Sequence, residues 1–232
     1  MKAAIMQPYF FPYLGYFQRA VVVDKFMFFG DDNFKKGGWV NRNRILINGE
    51  AHYFTLSIIK ASSNKMIKDL EIVAEPRNRN KIIKSIKSNY FKAPMFKEIM
   101  PLLEELISDP EKNLSLYIES AFRSLCEYLD INVSFLRSSE IKIDQTLECQ
   151  DKVIDILKKL EVTEFINPIG GAALYSKDIF KENGMKLNFI KMKEITYGQF
   201  GNKFVPDLSI IDVLMFNPKE IVKDMLNSYE II

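Results

Sequence analysis

The sequence predicts an α/β fold: a parallel sheet with an added β-hairpin and a helical middle segment. It reads as one domain over residues 1–232, with the helix-rich insertion around residues 77–130. Three observations predict this. Residues 3–29 read strand, helix, strand within the roughly thirty residues of a βαβ unit, whose two strands run parallel. Residues 149–191 repeat the rhythm as helix, strand, helix, strand. Between them, Asn48-Gly49 separates two strand-like runs, which is a strong hairpin signal.

Ala3–Met6 is a short apolar run that breaks at Gln7-Pro8. Tyr13–Val23 is long enough for a helix, and Lys25–Phe29 is a second strand ending in Gly30-Asp31-Asp32. Trp39–Ile47 and Ala51–Ile59 flank the hairpin turn. Along an extended Trp39–Ile47, Arg42 and Arg44 share one face while Asn41 and Asn43 share the other. Lys60–Lys68 reads as a loop and Asp69–Ala74 as a brief strand. Ile82, Ile83 and Ile86 fall at helical spacing within Arg77–Asn89. Met95–Leu106 continues as helix, with Pro101 expected to open a new segment. Leu114–Leu129 aligns Leu114, Ile118, Ala121, Leu125 and Leu129 on one helical face. Val133–Leu136 is a strand. Cys149–Leu160 is a helix, and Thr163–Ile166 is a strand that ends in Asn167-Pro168-Ile169-Gly170-Gly171. Ala173–Glu182 is helical and capped by Asn183-Gly184, and Lys186–Lys191 is a strand. After a loop at Tyr197–Gly201, Ser209–Phe216 and Pro218–Tyr229 read as terminal helices.

A chain of 232 residues can bury a sizeable core. With 32 basic and 30 acidic side chains it carries a formal charge of +2, which gives no electrostatic footprint for DNA or RNA. Cys126 and Cys149 form neither a metal pair nor a disulfide framework, and they fit a reducing compartment. No signal-peptide pattern is present, and no apolar run reaches the roughly 18 residues of a membrane span. The expectation is a soluble cytoplasmic protein, with a homo-oligomer left open. His52 is the sole histidine, which argues against a Ser-His-Asp triad or a His-rich metal site. Any chemistry should rest on positioning and electrostatics.

In open parallel sheets the ligand crevice lies outside the carboxyl ends of the strands. Residues 7–13 and 31–36 are therefore expected to share one site. Gln7, Tyr9 and Tyr13 surround a turn stiffened by two prolines. Gly15 removes a side chain near the helix start, so that a ligand can approach backbone N–H groups suited to an anion. The alternative is a rigid crossover with Gly15 beneath a neighbouring element. Asp31 and Asp32 are candidate general bases or amine anchors, and equally turn caps. With no histidine or third carboxylate nearby, no metal is assigned to them. Lys35, Lys36, Gly37, Gly38, Arg42 and Arg44 form the best anion-binding candidate, with Trp39 between the glycines and the arginines. The plainer reading is a solvated basic hairpin. Asn167 to Gly171, with Tyr175, has the layout of a phosphate-cradling turn between a strand and a helix, without the spacing of a dinucleotide fingerprint or P-loop. Gln199 lies in a loop and, with Asn41 and Asn43, joins the substrate-binding candidates. Ser209 reads as the N-cap of the helix it opens, with Asp212 completing a capping-box-like pattern.

These blocks carry a resemblance. MQPYFFPYLGYFQ, DDNFKKGGWVNRNRI, NPIGGAALY, YGQF and LSIIDVLMFN, in this order, resemble the WbqC-like proteins. The resemblance implies a place in bacterial O-antigen (lipopolysaccharide) and other surface-polysaccharide gene clusters. It also implies an enzyme that transfers a glycyl or other acyl group to the amine of a nucleotide-linked amino sugar. On that reading Asp31 or Asp32 accepts the amine proton, and Lys36, Arg42 and Arg44 hold a diphosphate or carboxylate. Trp39 and Tyr13 stack on a sugar or base, and Gly170-Gly171 cradles a phosphate. A glycine donor must first be activated, by ATP or as an ester. A looser likeness, in the opening strand, Pro/Gly turn and helix, is to nucleotidylyltransferase-like Rossmann folds, so the expected sheet is Rossmann-like. The His-x-x-His motif of those enzymes is missing, and Gln7 and Tyr13 stand in comparable places. The remaining alternatives are a nucleotidyltransferase making an activated sugar and a non-catalytic sugar-nucleotide-binding module.

Overall fold

The computed structural model describes residues 1–201 and 203–232. The apolar run near the N-terminus forms β1 (Lys2–Met6), which lies in the middle of a six-stranded sheet. Helix α1 (Leu14–Val22) leads to β2 (Lys25–Phe28), and β2 pairs with β1 in parallel. The hairpin β3 (Arg42–Ile47) and β4 (Glu50–Thr55) forms a separate antiparallel pair. Its turn residues Asn48 and Gly49 both have positive φ, 53° and 82°, as the two-residue hairpin turn demands. Three helices follow: α2 (Pro76–Tyr90), α3 (Phe96–Ser108) and α4 (Leu114–Tyr128). Then come β5 (Ser134–Arg137), α5 (Cys149–Lys159), β6 (Glu164–Pro168), α6 (Lys177–Glu182) and β7 (Lys186–Met192). The chain closes with α7 (Ile210–Phe216), α8 (Lys219–Leu226) and β8 (Tyr229–Ile231).

The strand order is β5-β2-β1-β6-β7-β8, all parallel except β8. Side chains along each strand alternate between two cores. Ala4, Phe26, Phe28, Ile166 and Ile190 face α1, α2, α3, α4, α7 and α8. Ala3, Phe165, Leu187 and Phe189 face α5 and α6. Phe122 of α4 joins the larger core to the sheet. Its ring centroid lies 4.5 Å from that of Phe17, 5.3 Å from Phe26 and 5.9 Å from Phe135. Burying a phenyl side chain of this kind contributes about 1.5–3 kcal/mol. The chain runs outward from β1 to β2 and β5, then crosses to β6 on the other side of β1. The order therefore reverses between β1 and β6, the place outside whose carboxyl ends open parallel sheets hold their ligands.

Several local expectations are corrected. The strand at Asp69–Ala74 is absent: Ile67–Asp69 is a 3₁₀ turn, and only single bridges at Glu71 and Ile72 follow. Pro101 does not start a segment. It lies inside α3, where burial of Ile99, Met100, Leu103 and Ile107 outweighs the one hydrogen bond that proline removes. Extended structure before the hairpin begins at Arg42, because Gly37 (φ 75°) and the Gly38 N–H to Lys35 carbonyl bond (2.9 Å) fold Lys35–Gly38 into a turn. The segment after β6 is a 3₁₀ turn, Ile169–Leu174, and α6 starts only at Lys177. Ser209 does cap α7, accepting from the Ile211 N–H, but Asp212 forms no capping box. Its carboxylate is turned inward, accepting from Tyr90 Oη, Tyr197 Oη and Gln199 Nε2, each at 2.7 Å. Helix α8 ends at Leu226 rather than Tyr229, and the last residues become β8, covering the edge of β7.

Candidate functional site

The site grows from the rim where β1, β2 and β6 end. Gln7 leaves β1, and its Nε2 donates to Asp32 Oδ2 across the rim. Asp32 is exposed, and its Oδ1 accepts from the Asn33 N–H at 2.9 Å. Beyond Pro8 the chain buries Phe10 and Phe11 and passes through φ 41° at Phe11, a left-handed conformation that costs free energy for a bulky residue. Neighbours hold it there. Asn43 Nδ2 donates to the carbonyls of both Phe10 (3.2 Å) and Phe11, and Ser209 Oγ donates to the Phe11 carbonyl at 2.7 Å. Asn43 is fully buried, so Asn43→Ala leaves these carbonyls short of a donor. It is expected to destabilise the protein by about 2–3 kcal/mol, read from denaturant unfolding.

From this turn a ladder of rings crosses to the hairpin. Tyr13 and Tyr9 centroids lie 6.2 Å apart, Tyr9 and Trp39 5.8 Å, and Trp39 and Tyr53 5.9 Å. Arg42 lies over the Tyr53 ring at 4.3 Å and beside Trp39 at 5.9 Å, while Arg44 is 5.5 Å from Trp39 on the same face of β3. Arg42 donates to the carbonyls of Gly37 and Gly38, and Arg44 Nη2 donates to the Asp207 carbonyl at 3.1 Å. Lys35 and Lys36 are exposed beside them. Among the described residues, none of these four cations forms an ion pair. Burial raises the Tyr9 phenol well above its ordinary range, against the opposing pull of Arg44.

The other bank belongs to β6 and β7. Tyr13, Gly15, Arg19, Gly170, Lys191 and Asp207 line a cleft of about 400 Å³. The Tyr13 ring lies across the first turn of α1. A Cβ at Gly15 would stand 2.6 Å from Tyr13 Cε2, so only glycine admits that pose. Arg19 is 4% exposed, and its Nη2 donates to Tyr13 Oη at 2.8 Å.

Tyr9, Tyr13, Trp39, Arg42 and Arg44 therefore gather between the turn and the hairpin, Gln7 ties the start of the turn to Asp32, and Gly170 lines the cleft on the far side of Tyr13. Other candidates take different places. Asp31 points away from that rim: it pairs with Lys68 and accepts from Ser138 Oγ at 2.6 Å, so both of its oxygens are occupied. Asn41 donates to the Leu56 carbonyl at 2.9 Å and Asn43 ties down the turn, so both serve the backbone. The phosphate-cradling geometry expected at Asn167–Gly171 does not form, because no α-helix starts there. Gly171 instead makes room for Asn167, whose Nδ2 would stand 2.5 Å from an added Cβ. Tyr175 packs edge-on against Phe165 and Phe180. Gln199 binds Val205 through both its backbone groups and donates to Asp212.

The residue reading missed Arg19, Tyr53 and Asp207. Tyr53 had a signal. A two-residue turn at Asn48-Gly49 fixes the register and sets Tyr53 opposite Arg44. Arg19 had none, since an arginine in the last turn of a helix is ordinary. The described residues contain no helix long and apolar enough to cross a membrane and no cluster of metal-ligating side chains.

A family model, the WbqC-like protein family, matches residues 7–224. The chain is also similar to the uncharacterized protein Rv1507c of Mycobacterium tuberculosis, 24% identical over 219 residues that cover 93% of each chain. No solved structure matches it.

Proposed function

The chain belongs to the WbqC-like protein family, and from that premise we propose an enzyme of bacterial surface-polysaccharide (O-antigen) assembly. It transfers a glycyl or other acyl group to the amine of a nucleotide-linked amino sugar. One observation carries this reading: two guanidiniums that form no ion pair among the described residues flank Trp39, next to the aromatic turn whose first residue, Gln7, holds the exposed Asp32. Arg42 and Arg44, with Lys35 and Lys36, offer a forked cationic face for the diphosphate. Trp39, Tyr53 and Tyr9 offer ring faces for sugar or base. Asp32, oriented by Gln7, accepts the proton as the amine nitrogen attacks the acyl carbon. The new C–N bond forms, and the leaving group departs with its electron pair. For free glycine that leaving group is supplied by prior activation with ATP.

The test is to incubate the protein with an amino-sugar nucleotide and glycine plus ATP, or a preformed glycyl ester, and to seek the glycyl adduct by mass spectrometry. Adduct formation supports the reading. Its absence across amino sugars and both donor forms overturns it, and tight binding without product points to a binding module. Arg42→Ala and Arg44→Ala are each expected to weaken binding of the sugar nucleotide about ten-fold while leaving the protein folded. Titration calorimetry reads this, and unchanged affinity in both variants removes the diphosphate assignment.

A further inference from the structure

Arg19 is a cation without an anion. Its guanidinium is 4% exposed, its Nε and Nη1 have no hydrogen-bond partner, and its one bond runs from Nη2 to the neutral Tyr13 hydroxyl. The rings of Tyr13 and Tyr16 lie 5.7 Å from its Cζ and offer only their π faces. No carboxylate among the described residues pairs with it. A guanidinium does not shed its charge on burial, so the unpaired state is costly. Arg79 makes the contrast: also buried, and with its Nε likewise unpartnered, it donates from Nη1 and Nη2 to the carbonyls of Asp109 and Glu111 just beyond α3. Arg19 makes no such bonds. It lines the cleft between α1 and the ends of β6 and β7, with Gly170 and Lys191 across from it.

We infer that Arg19 is an anion-binding residue. It receives an oxyanion, the carboxylate of an amino acid or the phosphoryl group of a nucleotide, that enters this cleft and displaces the Tyr13 hydroxyl. A guanidinium offers two paired edges, Nε with Nη2 and Nη1 with Nη2, and Nη2 gives one hydrogen to each. The Tyr13 hydroxyl takes one of those two hydrogens and obstructs that edge. Nε and Nη1 are shielded from solvent, so an oxyanion enters as the Tyr13 side chain, bonded to Nη2, moves aside. Tyr13 is placed to leave: it is only half-buried, and its ring rests on the bare Cα of Gly15. Lys191 at the mouth adds a second positive charge. The inference concerns binding and stands whether or not the transfer reaction is as proposed.

The experiment titrates the intact protein with inorganic phosphate, uridine diphosphate, glycine and acetate, by calorimetry and thermal shift. At least one probe is expected to bind. The phosphate and diphosphate arms against the glycine and acetate arms tell which oxyanion the cleft takes. Arg19→Met is expected to fold with a melting temperature at or above that of the parent, since the unpaired charge is gone. It should lose affinity for that probe by about ten-fold or more. Tyr13→Phe, which removes the competing hydroxyl, should bind the same probe several-fold more tightly. Binding by Arg19→Met at the parent's affinity, or no binding of any probe by the parent at millimolar concentration, overturns the inference. If Arg19→Met does not fold, Tyr13→Phe decides: tighter binding supports the inference, and unchanged binding overturns it.

Discussion

Asp212→Ala is expected to destabilise the protein by about 3–5 kcal/mol, the range for removing a buried acceptor that several donors share. Chemical denaturation measures it. Asp212 is fully buried at the start of α7 and takes hydrogen bonds from Tyr90 of α2 and from Tyr197 and Gln199 in the preceding loop. Tyr90 Oη in turn accepts from the Leu46 N–H of β3 at 2.8 Å. One carboxylate thus joins the hairpin, the middle helices and the C-terminal part of the chain. Truncating it leaves the buried Tyr90 phenol, the half-buried Tyr197 phenol and one N–H of the Gln199 amide without their acceptor. Tyr90→Phe, which strands only the Leu46 amide and one carboxylate oxygen, should cost about 1–3 kcal/mol.

The same residue sets a pH dependence. Burial raises the Asp212 carboxyl above its ordinary range, and the three hydrogen bonds oppose that rise only in part. Between the unfolded value, about 3.9, and the raised folded value, the native state binds more protons than the unfolded one. Asp212 therefore lowers stability as the pH rises through that window and adds no further slope above it. Asp212→Asn should flatten this segment of the stability profile. An unchanged slope would mean that the carboxyl titrates as it does in the unfolded chain.

For the proposed transfer, Asp32→Asn is expected to lower the rate by about 10²–10⁴-fold, the usual worth of a positioned proton acceptor. Affinity for the sugar nucleotide should stay near that of the parent, because the asparagine keeps an oxygen for the Gln7 amide. Single-turnover kinetics with parallel calorimetry separate the two. Asp31→Asn is the control. Asp31 is held by Lys68 and Ser138, so its loss should show as lowered stability with the rate per folded molecule retained. The opposite pattern would move the proton acceptor from Asp32 to Asp31.

Features that depend on spacing along the chain were legible in the sequence. The βαβ opening, the Asn48-Gly49 turn and the shared face of Arg42 and Arg44 each follow from a period or a turn rule, and all three stand in the fold. Features that depend on distant partners were not. Asp212 matched a local capping pattern, yet Tyr90, far away in sequence, competes for its oxygens and wins because both are buried. Asn41 and Asn43 looked like ligand-binding groups, yet the irregular backbone around Phe11 and Leu56 needs their amides more. Asn167–Gly171 suggested a helix entrance, but a 3₁₀ turn occupies the place where the helix would begin. Tyr175 and Gln199 were likewise drawn into packing and loop contacts whose partners no local pattern reveals.

The position of β1 has a consequence for how the protein is made. As a ribosome releases the chain from its N-terminus, the middle strand of the sheet emerges first. One neighbour, β2, follows at once, but Lys2 and Ala3 must wait for Glu164 and Phe165 on their other side. The Phe11 carbonyl waits longer still, for Ser209. Pairing across such separations is slow, and an open strand edge attracts other chains in the interval. A nascent chain therefore carries an unsealed edge, and an unfinished cleft, until β6 and Ser209 have emerged. Shortened versions that stop before β6 should emerge as aggregates rather than as smaller working proteins.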